Sequence, residues 1–283
     1  MKHFIARAGA LVMAAAFILV MGQVQPAAAQ KNKKDQQPGP LGQGAPPPGK
    51  GQVLPPGVTK EELAAYKAVY DARADEGKTI MLGEAFMAQY PMSMYAGGVL
   101  SELTTAYLHT NQTDKMMDAG TKALAINPDS VDVLPVLAWA IPRSVNSKTT
   151  DGPAQLQKAE GYARHGIELL NAMPKPDGID DAAFAKAKNE DLSLCYSGLG
   201  TADIKRGKYP EAAMELDQAV MLSATPDTVD LYLLGLADQM TNHFTKSIAA
   251  FTKCAAEAGP MQAGCKSGID ETKKKAQNSI EAP

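Results

Sequence analysis

Few residues of this chain offer catalytic or metal-binding chemistry. Past the N-terminal thirty residues there are three histidines, His109, His165 and His243. None stands in a His-Glu-x-x-His or His-x-x-His arrangement, the spacing that sets two imidazoles on one helix face around a metal ion. No Walker-type phosphate loop, Gly-x-Ser-x-Gly elbow or Gly-x-Gly-x-x-Gly turn occurs. Gly97-Gly98 and the Gly198-x-Gly200 pair fall inside predicted helices and read as packing glycines. The sequence therefore predicts no catalytic site, no metal and no cofactor, and assigns the histidines to surface or groove positions. The three cysteines divide differently. Cys195 reads as a small core residue. Cys254 and Cys265 bracket Gly259-Pro260, where the chain can fold back, leaving either a disulfide or two buried thiols.

The elements around these residues repeat. Leu199-Gly200-Thr201-Ala202-Asp203 and Leu234-Gly235-Leu236-Ala237-Asp238 lie 35 residues apart. Each is followed at matching offsets by an aromatic (Tyr209, Phe244), a small residue (Ala212, Ser247), a large apolar one (Leu216, Phe251) and another small one (Ala219, Cys254). Leu137-Ala138-Trp139-Ala140 and Leu103-Thr104-Thr105-Ala106 carry the pattern backward with less fidelity. All four copies place alanine three residues after the leucine: Ala106, Ala140, Ala202 and Ala237. A period near 34 residues with fixed small and large apolar positions marks stacked helical hairpins, and the small positions let neighbouring helices approach closely. Asn127-Pro128-Asp129 and Thr225-Pro226-Asp227 stop second helices and cap the next ones.

On these residues the chain resembles the tetratricopeptide repeats. Leu199-Gly200, Ala202, Gly207, Tyr209, Ala212 and Ala219 match the consensus, with Asp203 where tyrosine is usual. The copy from Leu234 follows with Asn242 in place of the turn glycine, and Leu103, Tyr107, Ala123 and Pro128 mark a further copy in which Met116 and Gly120 depart from type. Pro142 is expected to truncate the first helix of the copy from Leu137. That repeat is also stretched by two insertions, Arg143 to Pro153 and Met173 to Gly178. The second opens onto Ile179-Asp180-Asp181, a predicted N-cap for a long helix reaching Lys205. The resemblance implies an all-α solenoid of about five hairpins plus a capping helix from Met261 to about Asn278, whose Lys273-Lys274-Lys275 keep the exposed end wet. At the front, Thr59-Lys60-Glu61-Glu62 reads as a capping box. Leu63, Tyr66 and Tyr70 follow as an apolar stripe, and a second helix is predicted from Lys78 to Gln89. The segment Phe86 to Ser93 is similar to repeat ends of bacterial envelope members.

The N-terminal end supplies a compartment. Lys2 and Arg7 precede an apolar run from Ala8 to Met21, followed by Ala27-Ala28-Ala29. That order is a positive n-region, an h-region and a small-residue cleavage site. Residues 1–29 thus read as a signal peptide cleaved before Gln30. A spanning helix needs about 20 apolar residues, and Gly22, Gln23 and Gln25 interrupt this one. The product is expected to be periplasmic or secreted, with no stable membrane anchor. Residues 30–58, rich in Pro, Gly and Gln, read as a disordered linker, and residues 59–283 as the repeat domain. Removing Lys2 and Arg7 leaves 26 basic against 31 acidic residues, a charge near −5, which argues against nucleic acid as a partner.

The resemblance also implies where a partner would sit, in the concave groove lined by first helices. Carried over residue by residue, the groove positions are Ser101, Thr105 and His109, then Trp139 and Arg143, then Ser197, Thr201 and Lys205, and last Tyr232, Leu236 and Gln239. Trp139 and Tyr232 would anchor an extended peptide, with Arg143 and Lys205 as cationic points. The paired lysine–asparagine clamp of chaperone-binding members is absent. The function so implied is a non-enzymatic exported adaptor binding a protein or peptide, with a role in envelope assembly. The alternative is a structural assembly factor that oligomerises through its convex face or cap.

Overall fold

The computed structural model describes Pro47, residues 54–176 and residues 178–281. The signal peptide and most of the linker lie outside the described residues. Among the described residues the secondary structure is entirely helical: α1 (Lys60–Asp71), α2 (Glu76–Gln89), α3 (Ala96–His109), α4 (Thr113–Ile126), α5 (Leu134–Ser144), α6 (Gly152–Ala172), α7 (Asp181–Arg206), α8 (Tyr209–Leu222), α9 (Thr228–Met240), α10 (Phe244–Ala256) and α11 (Gln262–Glu281). This is the expected five hairpins and a cap. No helix among the described residues is long and apolar enough to cross a membrane.

The described residues form two compact units, an N-terminal one within Ala14–Leu137 and His165–Ala187, and a C-terminal one within Ala138–Arg164 and Lys188–Pro283. In the N-terminal unit α1 to α4 each pack on the next, and α3 also reaches α1; in the C-terminal unit α8 to α11 do the same, with α9 also touching α11. The recurring alanines explain how. Ala106, Ala140, Ala202 and Ala237 are all buried, as are Ala123, Ala219 and Cys254.

Three of the hairpin turns share one device. Asn111, Gly207 and Asn242 hold φ of 57°, 74° and 62°, the left-handed position that ends a helix. The next amide then reaches back across the turn: Gln112 to the Tyr107 carbonyl, Lys208 to Asp203 and His243 to Asp238, at 2.9, 2.9 and 2.8 Å. Asn is the residue that best replaces glycine there.

Three details depart from expectation. Only one arm of the capping box forms: Thr59 Oγ1 accepts from the Glu62 amide at 3.0 Å, while the Glu62 carboxylate accepts from Ser93 Oγ at 2.6 Å. Glu62 is therefore buried, and the stripe of α1 runs through Glu62, Tyr66 and Val69, leaving Leu63 and Tyr70 half-buried. Pro142 does not end α5, which runs on to Ser144. Pro142 removes the N–H that would have met the Ala138 carbonyl and crowds that carbonyl with its ring, within the last turn of the helix. That carbonyl instead faces α7, where a Cβ on Gly198 would overlap it. The cap α11 runs to Glu281, beyond Asn278. The long α7 forms as read, with Asp180 accepting from the Ala182 and Ala183 amides at 3.0 and 3.1 Å.

Candidate interaction surface

In the C-terminal unit α5 places Trp139 and Arg143 one turn apart, and the Arg143 guanidinium lies 4.5 Å from the centre of the Trp139 ring. Arg143 does not project as a free cation. Its Nη2 donates to Asp230 Oδ1 at 2.6 Å and lies 3.4 Å from Asp227 Oδ2, and its Nη1 donates to the Trp139 carbonyl at 3.3 Å. Asp227 caps α9 through the Val229 amide, and Asp230 stands in the first turn of that helix. Ser197 Oγ, from α7, donates to the same Asp230 oxygen at 2.7 Å. Burial pushes the Asp230 carboxyl up from the usual aspartate range, while Arg143 and Ser197 pull it back. The assembly is a three-helix clasp.

Lys205 is spent in the same way, donating to the Val145 carbonyl in the turn after α5, with its pKa lowered by burial. The two cations expected to meet a partner thus hold the chain to itself. Ser197 and Thr201 are buried, and the Thr201 hydroxyl has no hydrogen-bond partner among the described residues. Gln239 is buried as well: it donates to Thr272 Oγ1 at 2.8 Å and accepts from Lys275 at 2.9 Å, both on α11. Tyr232 meets Phe251 edge-on at 5.6 Å and lies over Gly264, and Leu236 is half-buried beside it. The cap therefore covers part of the face read as the end of the groove. Cys254 of α10 and Cys265 of α11 are joined in a disulfide, while Cys195 is a buried free thiol.

In the N-terminal unit Ser101 is buried and donates to the Gly97 carbonyl. Thr105 is half-buried, and His109 Nδ1 lies 3.2 Å from Glu76 Oε1. His165 pairs with Asp129 at 2.7 Å and His243 with Asp238 at 3.5 Å. Each histidine sits beside a single carboxylate. Among the described residues no group of three or more His, Cys, Asp or Glu is placed to hold a metal ion.

One constellation escaped the sequence reading. Tyr66 and Tyr70 stand one turn apart on α1, and Arg73 follows in the turn after that helix. Arg73 lies 3.5 Å from the centre of the Tyr70 ring and 3.8 Å from Glu102 Oε1 on α3. Asp132, in the turn before α5, completes the group electrostatically. Burial pushes the Glu102 and Asp132 carboxyls each up to about 7, with Arg73 opposing the rise. Tyr66 stacks on Tyr95 at 4.1 Å and 8°. The tyrosines had registered only as apolar positions, and nothing in the local sequence marked Asp132.

No protein-family model and no curated protein matches this chain. Many solved structures are similar to it, and two stand for them. One is a thermophilic TPR protein of Thermus thermophilus, at 14% identity over 75% of this chain and 98% of that one, with a TM-score of 0.44. The other is a tetratricopeptide repeat protein from Parabacteroides merdae, at 12% identity over 76% and 99%, with a TM-score of 0.32. The repeated buried alanines and the left-handed turns are this chain's own. By those features the chain has an all-α fold of tetratricopeptide-like helical hairpins.

Proposed function

We propose that this chain is an exported, non-enzymatic adaptor that holds a protein or peptide segment against the first-helix faces of its hairpins. The observation that carries the reading is Trp139. It is the chain's only tryptophan, it stays half-open on α5, and Arg143 lies across its ring. A partly open tryptophan held rigid by a neighbour is the kind of residue on which protein contacts concentrate their energy. Export rests on the order Lys2, Arg7, Ala8 to Met21 and Ala27-Ala28-Ala29; mass spectrometry of the secreted chain should find Gln30 at its N-terminus. The adaptor reading predicts that crosslinking pull-downs from the envelope lose partners when Trp139 becomes Ala, in a variant whose circular dichroism is unchanged. Retention of every partner would remove it.

A second reading, assembly through the convex face, draws on Met214 and Met221 of α8. They lie two turns apart on a second helix and are 71% and 62% exposed. Large apolar side chains left open on one helix face suit self-association. Sedimentation that shows a strict monomer would end this alternative.

A further inference from the structure

The turn between α2 and α3 carries two methionines two residues apart, Met92 and Met94. They are 95% and 64% exposed, so both side chains stand in solvent. The backbone that bears them is fixed. The Ser93 amide closes one turn on the Tyr90 carbonyl at 3.1 Å, with Pro91 and Met92 at its centre. The Ala96 amide closes the next on the Ser93 carbonyl at 3.0 Å, with Met94 and Tyr95 at its centre. Ser93 Oγ donates to Glu62 Oε1 at 2.6 Å and accepts from the Tyr95 amide at 3.0 Å. Tyr95 is held in turn by its stack on Tyr66. Four hydrogen bonds thus pin the residue between the methionines, while both thioether side chains remain open.

Thioethers are a different class of ligand from imidazole and carboxylate. They are soft and neutral, and they select Cu(I) while leaving Mg(II) and Ca(II) to oxygen donors. Two residues apart, the Cα atoms of Met92 and Met94 are separated by at most about 7 Å. A methionine side chain has three rotatable bonds, so both sulfurs can turn onto one ion with the backbone in place. The exposed pair on α8 differs. Met214 and Met221 are seven residues apart, about 10 Å along the helix axis, and present separate donors.

We propose that the Met92-Ser93-Met94 turn binds a soft monovalent metal ion of the Cu(I) class between its two thioether sulfurs. The fixed turn supplies the second sulfur at high effective concentration once the first has bound, which separates this pair from single exposed methionines. The site is independent of the adaptor reading, and neither needs the other.

Silver nitrate serves as the probe, since Ag(I) shares the charge and softness of Cu(I) and is stable in air. The full chain, labelled with carbon-13 at its methionine methyls, is titrated in buffer free of chloride and thiols. It is compared with Met92→Leu, with Met94→Leu, and with a Met214→Leu plus Met221→Leu control. Leucine is close to methionine in volume and all four positions are exposed, so each variant should keep an unchanged helical spectrum. The Met92 and Met94 methyl signals should shift together on one binding curve. Their midpoint should lie at least about tenfold below that of Met214 and Met221. Met92→Leu should weaken the Met94 response at least about tenfold, Met94→Leu should do the same to Met92, and the control should leave both unchanged. Mg(II) should move neither signal. Separate curves for the two methyls, equal affinity at Met214 and Met221, or a Met94 response that survives Met92→Leu at full strength would each overturn the site.

Discussion

Replacing Arg143 by Met separates a clasp from a partner anchor. The Arg143 side chain is 16% exposed and that of Asp230 is 6% exposed, so the substitution keeps the stem but strips a buried carboxylate of its cation. Removing one member of a buried pair costs roughly 3–5 kcal/mol. Ser197 still donates to Asp230, which places the expected loss near the lower end, about 3 kcal/mol. Asp230→Asn in the same chain should restore part of it, with a coupling of at least about 1.5 kcal/mol. Urea unfolding followed by fluorescence reads this directly, because the sole tryptophan, Trp139, lies under the guanidinium. The pH dependence has a definite sign. The folded pKa of Asp230 is already raised, and losing Arg143 raises it further. A carboxyl raised in the folded state stabilises at low pH and loses that contribution as pH rises through its folded pKa. The Arg143→Met penalty should therefore be larger at pH 8 than at pH 5. An unmoved unfolding midpoint, or an equal penalty in the Asp230→Asn background, would refute the clasp. A free partner anchor would instead leave the midpoint in place.

Gly198→Ala forces a Cβ onto the Ala138 carbonyl and should cost about 3 kcal/mol, the upper end for overpacking, read as a lower urea midpoint. Asn242→Gly relieves a left-handed residue at φ 62° and should raise the melting temperature by the equivalent of about 0.5–1 kcal/mol. Cys265→Ser opens an 11-residue link between α10 and α11; chain entropy sets the loss at about 3 kcal/mol, and α11 amides should exchange first. Glu102 and Asp132, each at about 7 when folded, return to ordinary carboxylate values on unfolding. The folded state therefore binds the extra protons between those values, and their stabilisation is full below about pH 4 and lost as pH rises through about 7. Urea midpoints at pH 5 and pH 8 should differ accordingly, and Glu102→Gln plus Asp132→Asn should flatten that difference.

The hairpins were legible because their signal is local and periodic. An alanine three residues after each leucine, a turn residue able to turn left-handed and a bulky residue further on all act within one repeat. What sequence spacing did not carry were contacts between elements far apart in the chain. Arg143 meets Asp230 across 87 residues, Lys205 meets Val145 across 60, and Gln239 meets Lys275 across 36. Each turns a polar residue at a groove position into a structural tie. The cluster of Arg73, Glu102 and Asp132 was missed for the same reason, since its members come from the turn after α1, from α3 and from the turn before α5.

The aspartates at 203 and 238, which stand where related repeats use tyrosine, follow from this difference between local and distant ties. In the repeat that keeps tyrosine, Tyr107 donates its hydroxyl at 2.6 Å to Glu84 on α2, in the preceding hairpin, and Lys115 reaches the same carboxylate at 2.8 Å. Asp203 and Asp238 instead pair close by in the chain: Asp203 with Arg206 at 3.5 Å and Lys208 at 3.9 Å, Asp238 with His243 at 3.5 Å. The same three positions supply the carbonyls that close the left-handed turns. An aspartate there fixes its turn from both backbone and side chain, and gives up the hydroxyl's reach to the preceding hairpin. Burial raises both carboxyls while the neighbouring cations oppose it, so each carboxylate depends on the cation beside it. The substitution is thus a local packing variant that needs no partner to explain it, and a Lys208→Met, Arg206→Met pair should loosen the α7–α8 turn while leaving partner capture at Trp139 intact.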